Sequence, residues 1–500
     1  MTRPRFEPSP CSDLSDYHPL GSEWLPLVSA PADFPIELFE SAVDQLIHHP
    51  EYNSTLILRA EVVADTTSDF PASIPTLKGF QSLRNVHRRL LPRRPERDGA
   101  LEQNCTLYAS DSVADTLVLT PLLPPGGSLP YYHPSIAHLA FRYITTTTPP
   151  TVRIEVVRLS DEDGPVDPGS RLYRTCLSLL DTLHRYGWGA LTNYQKRVHH
   201  DRIVPRESYQ DLYLIMRERF KGLVDTWVES TDPLKHVFED IGIATFLILL
   251  WKELYPPLPI SDLRPDEPWR SWGRPLAGFL DFGCGNGLLT HILLSCGYTG
   301  CGIDLRARAS WGNYPLDTQA HLIVDAFDPR TLAADAELNI YTTRGQFIIA
   351  NHADELTPWA PVLATRSHAS GFLSIPCCSW TFDARFQRGM APAVGRAAGG
   401  ADVTPSSTFV QQLNLGADSG NTSGYVQYRI WLAQLQEQCG WEVECEVLRI
   451  PSTRNWALIG RRKKGDEDGA QANVDAILQG VLDRGIFKAR MPEGKAGKDH

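Results

Sequence analysis

One short segment constrains the fold more than any other, Leu280-Asp281-Phe282-Gly283-Cys284-Gly285-Asn286-Gly287. An apolar stretch, 277–281, leads into it, and a helical stretch, 288–296, follows it. Glycines at alternate positions permit a tight strand-to-helix turn, and the first N–H groups of the helix are then free to face a ligand. The spacing is G-x-G-x-G, which differs from the G-x-G-x-x-G of dinucleotide-binding folds. The segment therefore predicts a ligand-binding turn in an α/β domain.

Downstream of this turn, short apolar stretches alternate with helical ones. The predicted strands are 277–281, 301–304, 321–325, 346–350, 371–375, 442–449 and 455–461. This alternation predicts an α/β domain with a sheet of seven strands, mostly parallel. Asp304 and Asp325 end the second and third strands, at the edge of the sheet where ligands bind. We therefore expect Asp281, Asp304 and Asp325 to line one site, with Asp304 accepting the hydroxyls of an adenosine ribose.

The rest of the sequence divides by composition. The expected regions are a mixed α/β region at 1–165, a helical segment at 166–275 that packs on the α/β domain, the α/β domain at 276–462 with a flexible insertion at 384–424, and a tail at 463–500 with a short helix at 472–483. Asp232 and Pro233 have the residue types of an N-cap and a first helical position. The apolar run 241–251 is about half the length of a membrane span, so it predicts a buried helix.

A dense basic cluster lies in the first region. Its arginines are Arg84, Arg88, Arg89, Arg93, Arg94 and Arg97. Such a cluster is typical of contacts to nucleic-acid phosphates, and a solvated helix end explains it equally well. The net charge of the whole chain is −11, which excludes a uniformly basic protein. A local phosphate-binding patch stays compatible with that total.

The cysteines and the N-terminal residues bear on the cellular context. Ten cysteines in 500 residues are too few for a disulfide scaffold, and none belongs to a C-x-x-C pair. A zinc ribbon is therefore not expected, and we predict no bound metal. The N-terminal residues lack the apolar stretch of a signal peptide, and we expect no membrane association. Together these features predict a cytoplasmic protein.

Several longer motifs match one known family. They are 281–289 and 302–311 around the glycine turn, Asn351-His352-Ala353-Asp354-Glu355-Leu356-Thr357-Pro358-Trp359 and 375–378 after the fourth and fifth strands, 449–454, 194–201, 231–241 and, more weakly, 132–134. In these motifs the sequence resembles the tRNA (uracil-2′-O)-methyltransferases over most of residues 80–460. The resemblance implies a Rossmann-like class I methyltransferase sheet that binds S-adenosylmethionine. It also implies 2′-O-methylation of a uridine in tRNA, in the family uridine 44 of serine tRNA.

The resemblance also implies roles for individual residues. The cofactor-binding residues would be Asp281, Gly283, Gly285 and Gly287 around the methionine part, Asp304 at the ribose, Asp325 at the adenine, and Asn351. A ribose hydroxyl is a poor nucleophile, so the enzyme must align it and assist proton removal. The candidates for that role are Asp354, which we favour, His352 and Glu355. The clustering of basic residues, rather than the resemblance, gives the candidate RNA contacts, which are Arg88, Arg89, Arg93, Arg94, Lys196, Arg197, Arg306, Arg449 and Arg454.

Two other functions stay open at this point. Cys377 follows Pro376 after the fifth strand, where pyrimidine-C5 methyltransferases of RNA carry a nucleophilic cysteine. Burial of that cysteine is the simpler interpretation. The second alternative is a non-catalytic RNA-binding protein with a vestigial cofactor fold. The intact Asp281, glycine turn, Asp304 and Asp325 count against it.

Overall fold

The computed structural model describes residues 3–11, 20–124, 126–159, 167–194, 200–259, 264–332, 339–387, 423–488 and 490–492. Lys196, Arg197 and nearly all of the predicted insertion at 384–424 lie outside these residues, so the interpretations given to them stay predictions. The chain divides into two compact units, Met1–Gln195 and Lys196–His500.

The first unit is built on an eight-stranded antiparallel sheet, in the order β1-β2-β8-β7-β6-β5-β4-β3. Its strands are β1 (Ser9–Pro10), β2 (Leu25–Pro31), β3 (Ile57–Thr66), β4 (Gln81–Pro92), β5 (Leu101–Ala109), β6 (Thr116–Leu122), β7 (Ile136–Ile144) and β8 (Thr151–Arg158). From β3 to β8 each strand pairs with the next along the chain, because short connections join antiparallel neighbours.

Two helices, α1 (Phe39–His48) and α2 (Arg171–Leu191), pack on this sheet. The buried residues of α2 recur three or four positions apart and include Tyr173, Cys176, Leu180 and Leu183. They share one apolar core with α1 and the sheet. The predicted boundary at residue 165 is therefore wrong for this helix, which belongs to the first unit. Helical periodicity identifies an apolar face but not the surface that the face packs on.

The second unit contains a seven-stranded sheet, in the order β11-β10-β9-β12-β13-β15-β14. Its strands are β9 (Phe279–Phe282), β10 (Gly300–Asp304), β11 (Leu322–Val324), β12 (Phe347–Asn351), β13 (Gly371–Ile375), β14 (Glu444–Val447) and β15 (Trp456–Gly460). The first five strands in that order are parallel, whereas β15 runs antiparallel to both of its neighbours. Each predicted strand overlaps one of these observed strands.

The helices of the second unit are α3 (Arg206–Phe220), α4 (Pro233–Leu254), α5 (Leu288–Ser295), α6 (Leu316–Ala320), α7 (Trp359–Arg366), α8 (Gly424–Gln438) and α9 (Glu467–Arg484). The predicted N-cap of α4 is confirmed, because Asp232 Oδ1 accepts a hydrogen bond from Leu234 N at 3.0 Å. The apolar run 241–251 is buried along its whole length. Within the described ranges, no helix combines the length and the apolar character needed to cross a membrane.

The C-terminal helix α9 corrects the expectation of a separate tail. It is longer than the predicted helix at 472–483, and Asp466 caps it by accepting from Gly469 N at 2.6 Å. Val474 and Val481 on α9 are buried in the same apolar cluster as Trp359 of α7. Residues 467–484 are therefore an integral layer of the second unit.

Candidate functional site

The glycine turn lies between β9 and α5, as the sequence predicts. Gly285 and Gly287 have φ angles of +54° and +75°, in the left-handed region that glycine adopts most easily. A Cβ at Gly287 would lie 2.9 Å from Leu322 Cδ1, so a larger residue would have to displace that side chain as well as adopt the strained φ. Trp311 Nε1 donates to the carbonyl oxygen of Gly285 at 2.9 Å. Trp311 thus fixes the turn, a role that its position in the sequence does not reveal.

Asp304 lies at the end of β10, next to the turn. Its Oδ2 accepts a hydrogen bond from Gly285 N at 2.9 Å, and its Oδ1 accepts one from Arg306 N at 3.3 Å. Gly283 N donates to the carbonyl oxygen of Ile303 at 2.9 Å. Because each carboxylate oxygen has two acceptor positions, Asp304 can hold the turn and still accept a hydrogen bond from a ligand.

Asp325 follows β11 and is already hydrogen-bonded. Its Oδ2 accepts from Tyr341 Oη at 2.9 Å, and its Oδ1 accepts from Ala326 N at 2.9 Å. Burial and the adjacent charge of Asp325 both raise the pKa of Tyr341. Asp325 therefore receives a fixed hydroxyl donor. No spacing in the sequence connects Tyr341 with β11, so this partner could not be predicted.

Asp281 is the most deeply buried of the three predicted acidic residues, with 1% of its surface exposed. Its Oδ2 accepts a hydrogen bond from Thr290 Oγ1 at 2.7 Å, whereas Oδ1 is buried without a partner among the described residues. Burial and the charge of Asp304 raise the pKa of Asp281 to about 7, although the Thr290 hydrogen bond opposes the rise. A buried acceptor of this kind can take a hydrogen bond from a ligand donor.

A further buried carboxyl group, Asp240 on α4, lies at the same place. Asn351, at the end of β12, donates from Nδ2 to Asp240 Oδ1 at 3.2 Å. Burial and the charges of Glu239 and Asp281 raise the pKa of Asp240 well above its usual value. Carboxyl groups gathered in this way ionise readily only when a positive charge joins them. The site is therefore suited to a cationic ligand.

His352 follows β12 and pairs with a residue that was not among the predicted site residues. Its Nε2 lies 2.9 Å from Glu239 Oε1 on α4. Burial favours a high pKa for Glu239, but the hydrogen bond and charge of His352, together with Ser452 and Lys235, outweigh it, so the pKa lies below its usual value. Because a carboxylate only accepts, Nε2 carries the proton, and Nδ1 is the basic nitrogen of the neutral ring. The pair has the geometry of a base oriented by a carboxylate.

The other two candidate bases have different surroundings. Asp354 is exposed, and its Oδ1 accepts a hydrogen bond from Cys377 Sγ at 3.1 Å. Glu355 Oε2 lies 2.9 Å from Arg490 Nη2. Asp354, Cys377 and Cys378 also place three potential metal ligands within 4.8 Å of one another. The expected absence of a metal therefore stays a prediction.

Beyond the end of β13, aromatic rings and arginines form a stack that includes Arg454. The Arg454 guanidinium lies 3.9 Å from the ring centre of Tyr425, and Arg429 lies 3.8 Å from that of Trp456. Tyr425 Oη donates to the carbonyl oxygen of Pro376 at 2.8 Å, which places the stack next to Cys377. Arg429 is buried, and within the described residues its Nε and Nη1 have no hydrogen-bond partner.

Two other predicted RNA contacts in this unit, Arg449 and Arg306, are also constrained by the fold around them. Arg449 Nε donates to Asp201 Oδ1 at 2.8 Å, and a second contact joins the same two side chains. Arg306 is half-buried after β10. Lys196 and Arg197 lie outside the described residues.

The basic cluster of the first unit lies on and after strand β4 rather than at a helix end. Arg84 pairs with Asp65, and Arg89 Nε lies 2.6 Å from Glu102 Oε1. Arg93 and Arg94 follow the strand and are exposed. Arg88 is buried, with 3% of its surface exposed, so its assignment to an exposed phosphate-binding patch is wrong. Successive side chains of a strand point to opposite faces, which places Arg88 inside and Arg89 outside.

Comparison with known families covers both units. Residues 5–197 match the family model described as "TRM44-like, N-terminal bet v1-like domain". Residues 203–263 and 269–329 match the model described as "Predicted AdoMet-dependent methyltransferase". The second match includes α4, the glycine turn, Asp304 and Asp325. The second unit thus contains an S-adenosylmethionine-dependent methyltransferase domain.

Comparison with curated proteins gives long matches to proteins named tRNA (uracil-O(2)-)-methyltransferase. The protein from Schizosaccharomyces pombe is 34% identical over 472 residues, which cover 88% of this chain and 85% of the relative. The protein from Neurospora crassa is 35% identical, with 92% and 89% covered, and that from Eremothecium gossypii is 31% identical, with 92% and 97% covered.

Proposed function

The chain belongs to the tRNA (uracil-O(2)-)-methyltransferase family, and on that premise we propose that it transfers a methyl group from S-adenosylmethionine to the ribose 2′-hydroxyl of a uridine in tRNA. The observation that carries the proposal is that a ligand-binding turn and a candidate general base follow neighbouring strands. Asp281 lies in β9 and the glycine turn follows that strand, whereas His352, paired with Glu239 of α4, follows β12, which pairs with β9.

The residues at the turn fit this cofactor. S-adenosylmethionine carries an ammonium and a sulfonium charge, and the buried carboxyl groups Asp281 and Asp240 have no ion-pair partner among the residues that the structure describes. Asp281 Oδ1 is an unpaired acceptor, which an ammonium N–H satisfies. Asp304 and Asp325 would hold the ribose and the adenine, respectively. When bound, the cofactor supplies a methyl group that is already activated for transfer.

The strand order supports the narrower assignment to the class I methyltransferase fold. Chain order reverses between β9 and β12, because the chain runs from β9 outward to β11 and then returns to β12 on the other side. Such a reversal opens a crevice at the carboxyl ends of the strands, where ligands bind in α/β sheets. The glycine turn and His352 both follow strands at this reversal point.

For the chemical step, we assign proton removal to His352. Its Nδ1 accepts the proton of the 2′-hydroxyl as the oxygen–methyl bond forms and the methyl–sulfur bond breaks. Glu239 fixes the tautomer of the ring and stabilises the imidazolium that results. This assignment replaces our preference for Asp354, whose carboxylate hydrogen-bonds to the Cys377 thiol.

The arginine–aromatic stack suits RNA positioning. Arg454 is exposed and lies over Tyr425, so one side of its guanidinium is held while its N–H groups remain available to a phosphate. Arg306 and Arg449 in the second unit are further candidate phosphate contacts, and the exposed Arg89, Arg93 and Arg94 are candidates in the first unit. The family resemblance supports uridine 44 of serine tRNA as the target and the cytoplasm as the location.

Purified serine tRNA transcripts test which tRNA and which nucleotide receive the methyl group. We expect label from S-adenosylmethionine to enter a serine tRNA transcript and to be lost when uridine 44 is replaced by cytidine. Equal labelling of the two transcripts would contradict the proposed position. Labelling of other tRNAs in a bulk preparation, with no label in serine tRNA, would contradict the choice of tRNA.

The raised pKa of Asp281 predicts that cofactor binding depends on pH. A cationic ligand binds the ionised carboxylate, so affinity should fall as pH drops through about 7, by up to about tenfold per pH unit. Conversely, the fold favours the protonated carboxyl group, so the free protein should lose stability as pH rises from 3.8 toward 7. Titration calorimetry with S-adenosylhomocysteine measures the first effect. The slope should become clearly shallower in Asp281→Asn, where Asp240 is the remaining buried carboxyl group with a raised pKa, and a slope unchanged in that variant would refute the assignment.

The pyrimidine-C5 alternative requires a thiolate at Cys377, and the structure opposes one. Burial and the hydrogen bond to Asp354 both raise the pKa of the Cys377 thiol, whereas catalytic cysteines have a lowered pKa. We therefore expect Cys377→Ser to retain methyl transfer to tRNA within about threefold of the wild-type rate. Loss of activity, together with a covalent adduct to tRNA containing 5-fluorouridine, would establish the cysteine mechanism instead.

A further inference from the structure

The first unit encloses a cavity that plays no part in the proposed chemistry. Its volume is about 450 Å³, within the range of small-molecule binding pockets. Its walls come from α1, α2 and the sheet, with apolar side chains such as Leu90, Leu139 and Phe141. Arg171, Arg174 and Ser178 also line it, and these residues of α2 are exposed. The cavity therefore joins an apolar interior to a basic, solvent-facing side.

The interior of the cavity contains a buried positive charge. Arg88 donates from Nε and Nη2 to Gln103 Oε1, at 3.0 and 2.6 Å, and from Nη1 to the carbonyl oxygens of Leu46 and Ile47. Among the described residues, no carboxylate forms an ion pair with Arg88. Buried charges in proteins are normally paired, because desolvation of an isolated charge is costly. These four hydrogen bonds partly compensate the charge of Arg88 and leave one N–H on Nη2 for an acceptor atom of a ligand.

The contacts around Arg88 fix which side-chain atoms donate and which accept hydrogen bonds. His133 Nδ1 lies 2.8 Å from the carbonyl oxygen of Pro134, so it carries the ring proton, and Nε2 accepts from Gln103 Nε2 at 3.1 Å. Burial lowers the pKa of His133 to about 4, so the ring stays neutral. Arg88, Gln103 and His133 therefore form one rigid polar wall, in which Arg88 Nη2 and Gln103 Nε2 each keep one N–H that a ligand acceptor can use.

A second polar group points to a ligand that also donates hydrogen bonds. Asn53 lines the cavity, and its Oδ1 is buried without a partner in the described part of the chain. A fatty acid offers an anion but no N–H donor. A nucleotide offers both, together with a flat base that suits apolar walls.

We propose that this cavity binds one unstacked nucleotide of the tRNA substrate, with its base inside against Arg88 and Gln103 and its phosphate near the exposed Arg171 and Arg174. The source of the nucleotide rests on the proposed function. Arg171 stacks on Tyr131, 3.9 Å from the ring centre, and stands with Arg174 on the basic side of the cavity. The site gives the first unit a specific role in selecting RNA, in addition to general attraction between charges.

Equilibrium dialysis of the full chain with AMP, CMP, GMP and UMP tests the site. Saturating S-adenosylhomocysteine occupies the cofactor site during the measurement, so binding there does not contribute. We expect at least one nucleotide to bind, Ser178→Trp to block it, and Arg174→Glu to weaken it by about tenfold, the size of one lost charge-assisted hydrogen bond. Arg185→Glu, on the same helix but outside the cavity, is the matched control and should bind normally. The two cavity variants should also raise KM for tRNA and leave kcat unchanged.

Three results would overturn the inference: no nucleotide binding at millimolar concentration, binding unaffected by Ser178→Trp, or binding of decanoate in place of nucleotides. Failure of the proposed function is separately visible. In that case the wild-type chain transfers no methyl group to tRNA, while nucleotide binding still responds to the cavity variants.

Discussion

We expect His352→Asn to lower kcat for methyl transfer by roughly 10²–10⁴-fold, the usual contribution of a general base. In the wild-type ring Glu239 holds Nε2, so Nδ1 is the ring nitrogen that accepts the proton of the 2′-hydroxyl. The amide of asparagine has no basic nitrogen to replace it. Asparagine is chosen because His352 has a φ of +51°, a conformation that asparagine tolerates and alanine does not. Single-turnover kinetics with bound tRNA measures the chemical step directly.

Glu239, the other residue that we assign to proton removal, is tested by its own variant. Glu239→Gln keeps a side chain of the same size but removes the charge that stabilises the imidazolium, so we expect a smaller loss, about tenfold in kcat. His368→Asn is the matched control, because His368 also has a positive φ and also contacts a carboxylate, that of Glu467. A control as inactive as His352→Asn, or a fully active His352→Asn, would contradict the assignment.

The largest expected effect on binding is that of Asp304→Ala. We expect it to weaken S-adenosylmethionine binding by roughly 3 kcal/mol, about a hundredfold, which corresponds to two hydrogen bonds to an ionised acceptor. Part of the loss would come from the glycine turn, because Asp304 also accepts from Gly285 N. Titration calorimetry gives the affinity, and thermal unfolding without ligand separates the two contributions.

Asp468→Ala provides the control for this experiment. Asp468 is exposed in the first turn of α9, so the variant changes the net charge equally but should bind the cofactor normally. If Asp304→Ala binds as tightly as this control, the ribose assignment is wrong. If the wild-type chain itself does not bind S-adenosylmethionine, the protein is better explained as a non-catalytic RNA-binding protein.

Much of the catalytic unit could be predicted because its signals are local. A short apolar strand, a glycine turn and a capped helix are each specified by neighbouring residues, as at 277–288 and at the N-cap Asp232. Parallel strands then bring the ends of β9, β10 and β11 to one edge of the sheet. The acidic residues there were therefore predictable without knowledge of packing.

The remaining features depend on contacts between residues far apart in the chain. Glu239 and His352 are separated by more than a hundred positions, and only the packing of α4 next to β12 joins them. The partner of Asp325 arises in the same way. Arg88 looked like its neighbour Arg89 in the sequence, and only the pairing of β4 shows that one is inside and the other outside.

Nucleoside analysis of tRNA after reaction with labelled S-adenosylmethionine tests the central claim most directly. The tRNA is digested completely to nucleosides, which are separated and identified by mass spectrometry. The account predicts label in 2′-O-methyluridine, present with the wild-type chain and with Cys377→Ser but absent with His352→Asn. Label in a uridine methylated on the base would contradict it.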